Sequence, residues 1–479
     1  MNPLPARPAS EPPGPDIGAL FLDVVDRVQE LRANAAERPA LQWQPQLLER
    51  TLGPQPLPEV GEPLEAVVGE AFARIEQGYC NVAHPLYLGY ISPKPLLQST
   101  LGDFIASSLN QTPGAWRAGP AATQIEWETL AWLRDFIGLP AAAPGEVPGI
   151  VTTGGSMANL SALKLARDRA CQGAVSQGLR SGDSDLTVYM SREGHFSVLK
   201  AADMLGLGRD QVRLVETDAA GRVLPERLAE LMRADRARGC RPLCIVGVAG
   251  TSANGAVDPL PELARLAEEH GCWFHVDGAA GAALGVLPEL RGLFAGLERA
   301  DSVALDPCKW LFTAFGLGCL FVREPAQLRR SFDVLGHYWE DLEEPEFFRL
   351  SFNGTRQWRS LGLWMSLRAL GVAGYRDLLR GITACADRLA AKLHEHGGFE
   401  LLPRSALPVV CFRPGGPDAA RAERTRRLQR CIARDGQAYL TLLDWRGEPY
   451  LRAAFNNYST LPGDVDRLVQ VLDQALSGA

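Results

Sequence analysis

The sequence predicts an α/β protein with a mostly parallel central sheet, a small α+β domain at the C-terminal end and a helical segment at the N-terminal end. Three observations carry that expectation. Short apolar runs recur between residues 149 and 322, and helical patterns separate most of them. That alternation buries both faces of a parallel sheet. After residue 360 the pattern changes to a long helix, then strand-like and helical stretches in turn. Finally, a chain of 479 residues, 46% hydrophobic and 22% charged, is globular and too long for one simple core.

The elements follow in order. Residues 1–16, MNPLPARPASEPPGPD, are proline-rich and lack the apolar core of a signal peptide, so an extended arm is expected. Ile17, Leu20, Phe21, Val24, Val25, Val28 and Leu31 share one helical face, which asks for a partner surface. A proline-rich stretch, 39–63, leads onward. Strands are expected at 149–153, 186–190, 212–216, 243–248, 272–277, 301–305 and 318–322, with helices at 157–172, 196–206, 224–238 and 260–270. The last part reads as a helical region (360–397), the strand ALPVVCFRP, a helix (418–435), the strands QAYLTLL and YLRAAF, and a final helix (463–477). The division expected is 1–90 as arm and helical segment, 91–365 as the large α/β domain and 366–479 as the small domain.

Composition narrows the function. A net charge of −7 and a pI near 5.7 leave no electrostatic footprint for nucleic acid. No apolar run is long enough to span a bilayer. The ten cysteines sit mostly in apolar strand-like runs, without the dense Cys/His spacing of a metal site. They read as reduced core residues of a cytoplasmic protein.

Four places carry chemistry. In TTGGSMANLSALKLAR (152–167) a strand ends, Gly154 and Gly155 turn the chain, and Ser156 opens a helix. Free N–H groups there suit a phosphate, although an ordinary turn capped by Ser156 has the same form. In WFHVDGAAGA, Asp277 ends an apolar strand, where open α/β sheets place ligand contacts and where helix-capping aspartates also occur. Lys309, in DPCKWLFTAFGLG, follows another apolar strand, and its alternative is a lysine that reaches solvent. His195, in EGHFSVLKAA, follows a third. Alone it reads as structural. As a set, these residues match the needs of pyridoxal phosphate: an amine for the aldehyde, a carboxylate for the ring nitrogen, a glycine turn for the phosphate and an aromatic ring to stack.

The same segments, with GVAGTSANGAVDPL and TRQWRSLGLW, resemble the group II pyridoxal-phosphate decarboxylases over roughly residues 80–460. The likeness is strongest to aromatic-L-amino-acid decarboxylases and their bacterial relatives. It implies the aspartate aminotransferase fold (fold type I) and a homodimer with active sites at the subunit boundary. It implies Lys309 as the Schiff-base lysine, Asp277 as partner of the pyridinium nitrogen, and His195 and Ala279 on the two ring faces. Gly155, Ser156 and Met157 would bind the phosphate. Thr251 lies near the cofactor, and Asp306 stands near the phosphate where animal enzymes have Asn. Tyr338 matches the loop tyrosine needed for decarboxylation, which is phenylalanine in the related aldehyde synthases.

Departures from the pattern are informative. Cys308 replaces the histidine that precedes the family's lysine and helps to hold the phosphate. Ala280 leaves room where an aromatic is usual. Tyr87, Tyr90 and Ile91, in HPLYLGYISPKP, match the region that lines the substrate side chain, and Trp116 is near it. No acid-binding arginine stands out there apart from Arg117. The implied reaction is decarboxylation of an aromatic or bulky apolar L-amino acid to the amine and CO2. The alternatives are an aldehyde synthase or a decarboxylase of an acidic amino acid.

Overall fold

The computed structural model describes residues 17–42, 56–180, 185–334, 344, 346–416 and 418–477. The arm at 1–16 and Tyr338 lie outside the described residues, as does most of the proline-rich stretch.

The central sheet has seven strands: β1 (Ile150–Thr152), β2 (Leu186–Ser191), β3 (Val212–Val215), β4 (Arg241–Val248), β5 (Trp273–Asp277), β6 (Ser302–Leu305) and β7 (Gly318–Val322). Their spatial order is β1-β7-β6-β5-β4-β2-β3. Pairs β3–β2, β2–β4, β4–β5 and β5–β6 are parallel, while β7 runs antiparallel to both β6 and β1. Every residue of β1, β2, β5, β6 and β7 is buried, as expected for strands covered on both faces.

The covering helices obey local rules. Those at Pro225–Ala237 and Leu260–His270 carry proline in the first turn, where its missing N–H costs nothing. The second ends at Gly271, whose φ of 64° suits a residue without Cβ. The helix Gly155–Ala170 crosses the middle of the sheet and packs on β4, β5, β6 and β7.

A second sheet is wholly antiparallel, in the order β10-β11-β9-β8, from β8 (Phe399–Leu401), β9 (Val409–Pro414), β10 (Thr441–Trp445) and β11 (Glu448–Ala454). The helix Ser360–His396 approaches it, broken at Gly371 by a φ of 60° and ψ of −179°. Helices Asp418–Asp435 and Pro462–Ser477 complete this part. One apolar core runs from the large sheet into the small one, with Trp273, Trp310 and Tyr189 among its fully buried side chains.

The N-terminal helix forms as Ile17–Ala33, yet Leu31 is its only buried residue. Three further helices, Leu64–Gly78, Leu97–Leu109 and Pro120–Phe136, precede β1, in a stretch where the sequence pattern had resolved no elements.

Candidate active site

Because β1, β2, β4, β5 and β6 all point the same way, their C-terminal ends share one edge of the sheet. That edge is where an open α/β sheet leaves room for a ligand. A cavity of about 360 Å³ opens there, lined by Gly154, Gly155, Ser156, His195, Asp277, Ala279, Asp306 and Lys309 among others. Its size falls within the usual range for small-molecule sites.

The glycine turn follows β1. Gly154 adopts φ +132°, a conformation closed to other residues, and a Cβ on Gly155 would stand 2.8 Å from Ala279 Cβ. Two glycines therefore bring the start of the helix Gly155–Ala170 against the turn after β5. The helix start faces the cavity with its N–H groups and the exposed Ser156 hydroxyl.

Asp277 ends β5 and is 5% exposed. Its Oδ1 accepts the Ala279 N–H at 3.2 Å and its Oδ2 accepts Asn159 Nδ2–H at 2.8 Å. His195, beyond β2, has Nδ1 at 2.7 Å from Ser197 Oγ. Its ring lies 4.2 Å from that of Phe196, at 35°. Burial lowers the His195 pKa, and the Lys309 charge adds to this against the pull of Asp277. The neutral ring is the favoured form.

Lys309 follows β6, and among the described residues no carboxylate pairs with its ammonium. Asp306, three residues earlier, has its carboxyl pushed up by burial, opposed by the Lys309 charge. Its Oδ2 accepts the Gly155 N–H at 3.4 Å and its Oδ1 the Cys308 N–H at 3.0 Å. Asp306 thus ties the lysine turn to the glycine turn.

A wider cavity of about 750 Å³ adjoins the first and shares His195, Phe196, Ser252 and Lys309 with it. Tyr90 and Ile91 line it with Tyr439, which precedes β10, and Thr441, Leu442, Leu443 and Arg452 reach it from the small sheet. Arg452 is 8% exposed and has no carboxylate partner among the described residues. Its Nε donates to the Ala253 carbonyl at 3.1 Å and its Nη1 to the Gly89 carbonyl at 2.7 Å.

Five residues singled out in the sequence stand away from these walls. Cys308 turns its thiol into the following loop, where Sγ lies 3.0 Å from the carbonyls of Ala314 and Leu317 and accepts the Leu317 N–H at 3.3 Å. Thr251 is buried in its own turn, its Oγ1 donating to Asn254 Oδ1 at 2.8 Å and accepting the Ala256 N–H at 3.1 Å, so Ser252 is the residue at the cavity. Met157 sits one helical step past the lining residues. Tyr87 is buried behind Tyr439, ring centroids 5.3 Å apart. Trp116 belongs to a short turn whose N–H reaches Glu346 Oε1 at 3.2 Å, and it lines neither cavity. Conversely, the sequence reading passed over Asn159, Phe196, Ser252 and Arg452.

The donor set fits pyridoxal phosphate: a free amine, a braced carboxylate, an aromatic ring, and a glycine turn at a helix start, all in one cavity of suitable size. Comparison with known proteins agrees. The family described as the pyridoxal-dependent decarboxylase conserved domain matches residues 45–414. The aromatic-L-amino-acid decarboxylase of Bacillus atrophaeus is 34% identical over 338 residues, 70% of this chain and 68% of that protein. A phenylacetaldehyde synthase of Petunia hybrida is 30% identical, over 78% of this chain and 74% of its own. Among solved structures, Oryza sativa TDC with pyridoxal phosphate and tryptamine superposes with a TM-score of 0.91 at 27% identity, covering 98% of this chain and 99% of that one.

Proposed function

The chain belongs to the pyridoxal-dependent decarboxylase family and is a pyridoxal-phosphate-dependent amino-acid decarboxylase, and from that premise we propose that it converts an aromatic L-amino acid to its amine and CO2. The observation that carries the reading is the unpaired Lys309 amine at the cavity that Asp277, His195 and the glycine turn also line.

When bound, pyridoxal phosphate supplies an electron sink for the pair left on Cα as the C–CO2 bond breaks. The roles of the chain's own residues follow from their chemistry. Lys309 Nζ would hold the cofactor by its aldehyde, as the amine that lines the cavity. The Asp277 carboxylate would face the ring nitrogen and favour its protonated form, because a nearby negative charge favours a cation. The His195 ring and the Ala279 methyl are suited to the two ring faces. The N–H groups at the start of the helix Gly155–Ala170 and the Ser156 hydroxyl suit the phosphate. The Arg452 guanidinium, buried and without a carboxylate partner among the described residues, would receive the substrate carboxylate. Tyr90, Ile91 and Tyr439 give the wider cavity an aromatic and aliphatic wall suited to an aromatic side chain. Tyr338, by its place in the sequence, is assigned the return of a proton to Cα from its Oη.

A homodimer goes with this reading. Ile17, Phe21, Leu22 and Val25 on the first helix are exposed, as are Leu97, Leu101, Phe104 and Leu109 on the helix Leu97–Leu109. The two faces meet at Phe21 and Phe104, ring centroids 5.6 Å apart. Such a contiguous apolar patch favours a second copy. The three-part division at residues 90 and 365 assigns this patch to the first part and its border with the second. A cytoplasmic setting is supported by ten cysteines without a disulfide and by the lack, among the described residues, of a helix able to cross a membrane.

The test is a screen of L-amino acids for CO2 release by the pyridoxal-phosphate-loaded protein, with amine and aldehyde products quantified. Lys309→Ala is expected to abolish turnover, by a factor on the order of 10⁴ or more. Ammonia and aldehyde without accumulating amine would overturn the reading in favour of an aldehyde synthase. Tyr338→Phe is expected to shift product from amine toward aldehyde.

A further inference from the structure

Beneath Asp277 lies a buried polar network that the reaction scheme above does not use. Trp273, His275 and Asp277 alternate onto one face of β5. The β5–β6 register places Ser302 opposite His275. The helix Gly155–Ala170 crosses that face and lowers Asn159 onto it. Asn159, His275 and Ser302 are each no more than 1% exposed.

Five hydrogen bonds join these groups. Trp273 Nε1 donates to Ser302 Oγ at 2.8 Å. Ser302 Oγ lies 2.9 Å from His275 Nδ1. His275 Nε2 lies 2.9 Å from Asn159 Oδ1. Asn159 Nδ2 stands 2.8 Å from Asp277 Oδ2 and 2.9 Å from Ser197 Oγ, the hydroxyl that meets His195 Nδ1.

Donor chemistry fixes the direction of the chain. Asp277 as a carboxylate only accepts, so the Asn159 NH2 must face it. Asn159 Oδ1 then faces His275 and can only accept, so His275 carries its proton on Nε2. His275 Nδ1 is left as acceptor for the Ser302 hydroxyl, whose own lone pair takes the indole N–H. Every donor points toward Asp277. The same amide gives its second N–H to Ser197 Oγ, which leaves the Ser197 proton for His195 Nδ1.

We infer that Asn159 is a positioning residue that sets two groups at once: the carboxylate assigned to the ring nitrogen and the histidine assigned to the ring face, with Trp273, Ser302 and His275 fixing the orientation of its amide. The inference rests on the reading of Asp277 and His195 as cofactor contacts. It predicts that a change at Asn159 disturbs both groups together, although Asn159 Nδ2 reaches them through different hydrogen bonds. Charges held by neutral, pre-oriented dipoles in a dry site need no reorganisation when the cofactor ring arrives.

The test has two arms. In the cofactor-free full chain, nitrogen-15 spectra of the histidine rings, assigned with His275→Gln and His195→Gln, are expected to show His275 as the Nε2–H tautomer. In Asn159→Ala, loss of the acceptor is expected to move that proton to Nδ1, where the Ser302 carbonyl lies 3.2 Å away. An Nδ1–H tautomer in the unsubstituted protein overturns the direction of the chain and with it the inference. In the second arm, pyridoxal phosphate affinity is measured by fluorescence titration. Asn159→Ala is expected to weaken it roughly 10- to 100-fold, the range seen when groups that orient direct ligands are removed. Should Asn159→Ala fail to fold, Ser302→Ala carries the same tests from the far end of the chain. Its expected signature is a retained Nε2–H tautomer, because Asn159 Oδ1 still faces His275, with a smaller affinity loss; unchanged affinity there overturns the inference. Normal uptake by the unsubstituted protein with unchanged affinity in Asn159→Ala overturns the inference alone. A protein that takes up no pyridoxal phosphate at all overturns the functional reading beneath it.

Discussion

Two aspartates face the same cavity, Asp277 at the end of β5 and Asp306 after β6; each Oδ1 accepts the N–H two residues on, and the two differ in what holds Oδ2. Asp277 Oδ2 is held by a side chain, Asn159, from the helix that crosses the sheet, and Asn159 is itself braced through His275, Ser302 and Trp273. Asp306 is gripped by main-chain N–H groups of Gly155 and Cys308. Backbone donors answer to the path of the chain, so Asp306 sets the spacing of two turns. A side-chain donor answers to its own oriented network, which suits Asp277 to the proposed role of a charge facing the cofactor ring. On the proposed function, identical residue types at neighbouring strand ends divide into a structural tie and an electrostatic group.

Neutralising each aspartate is the most direct way to break this comparison. Asp277→Asn is expected to lower kcat on the order of 10²- to 10³-fold, as loss of one pre-oriented electrostatic partner does elsewhere. Steady-state decarboxylation by the loaded enzyme checks it. Asp306→Asn should cost less than about 10-fold in kcat, and it should bind pyridoxal phosphate as well as the parent or more tightly, because it removes an anion beside a phosphate site. Fluorescence titration measures this. Equal losses in the two variants would erase the distinction.

Arg452 sharpens it from the substrate side. If its guanidinium receives the substrate carboxylate, Arg452→Ala should lose about 1.5–3 kcal/mol of that contact, or roughly 10- to 150-fold in kcat/KM. Its pyridoxal phosphate affinity should hold. An unchanged kcat/KM would remove Arg452 from the site.

The last effect is on pH dependence. Burial pushes His275 down to about 4 from its ordinary 6.5. The folded state therefore binds this proton less readily than the unfolded chain. The resulting stability is complete above about pH 6.5 and is lost as pH falls toward about 4, at up to about 1.4 kcal/mol per pH unit. Urea denaturation at pH 7 and pH 5 should show the decline, and His275→Gln should flatten it.

Much of the cavity was legible in the sequence because its residues follow strand ends. Lys309, Asp277, His195 and the glycine turn each sit just past an apolar run, and strand polarity alone collects such positions at one edge. Asn159 was not legible in this way. It lies 118 residues from Asp277 and contacts it only because one helix crosses one strand. A signal was present, since asparagine inside a helix is disfavoured unless its side chain is used elsewhere. Arg452 gave a comparable sign, a lone cation in the apolar strand YLRAAF, but which cavity it reached depended on how the small sheet packs against the large one. The helices at 64–78, 97–109 and 120–136 were missed for another reason. The outward faces of the first two carry apolar residues such as Leu97, Leu101 and Val67, which blurs the polar stripe that marks an ordinary surface helix.

The thiol next to Lys309 carries a last consequence, for chemoselectivity. An aldehyde cofactor is open to attack by sulfur as well as by nitrogen, and a thiolate one residue from the amine would compete for the same carbonyl carbon. Here the Cys308 sulfur faces away, among the carbonyls of Ala314 and Leu317, and burial pushes its pKa up to about 12. At neutral pH it is a protonated, enclosed thiol with almost no nucleophilic fraction. The thiol at this position therefore adds no competing nucleophile beside Lys309, the amine proposed to hold the aldehyde.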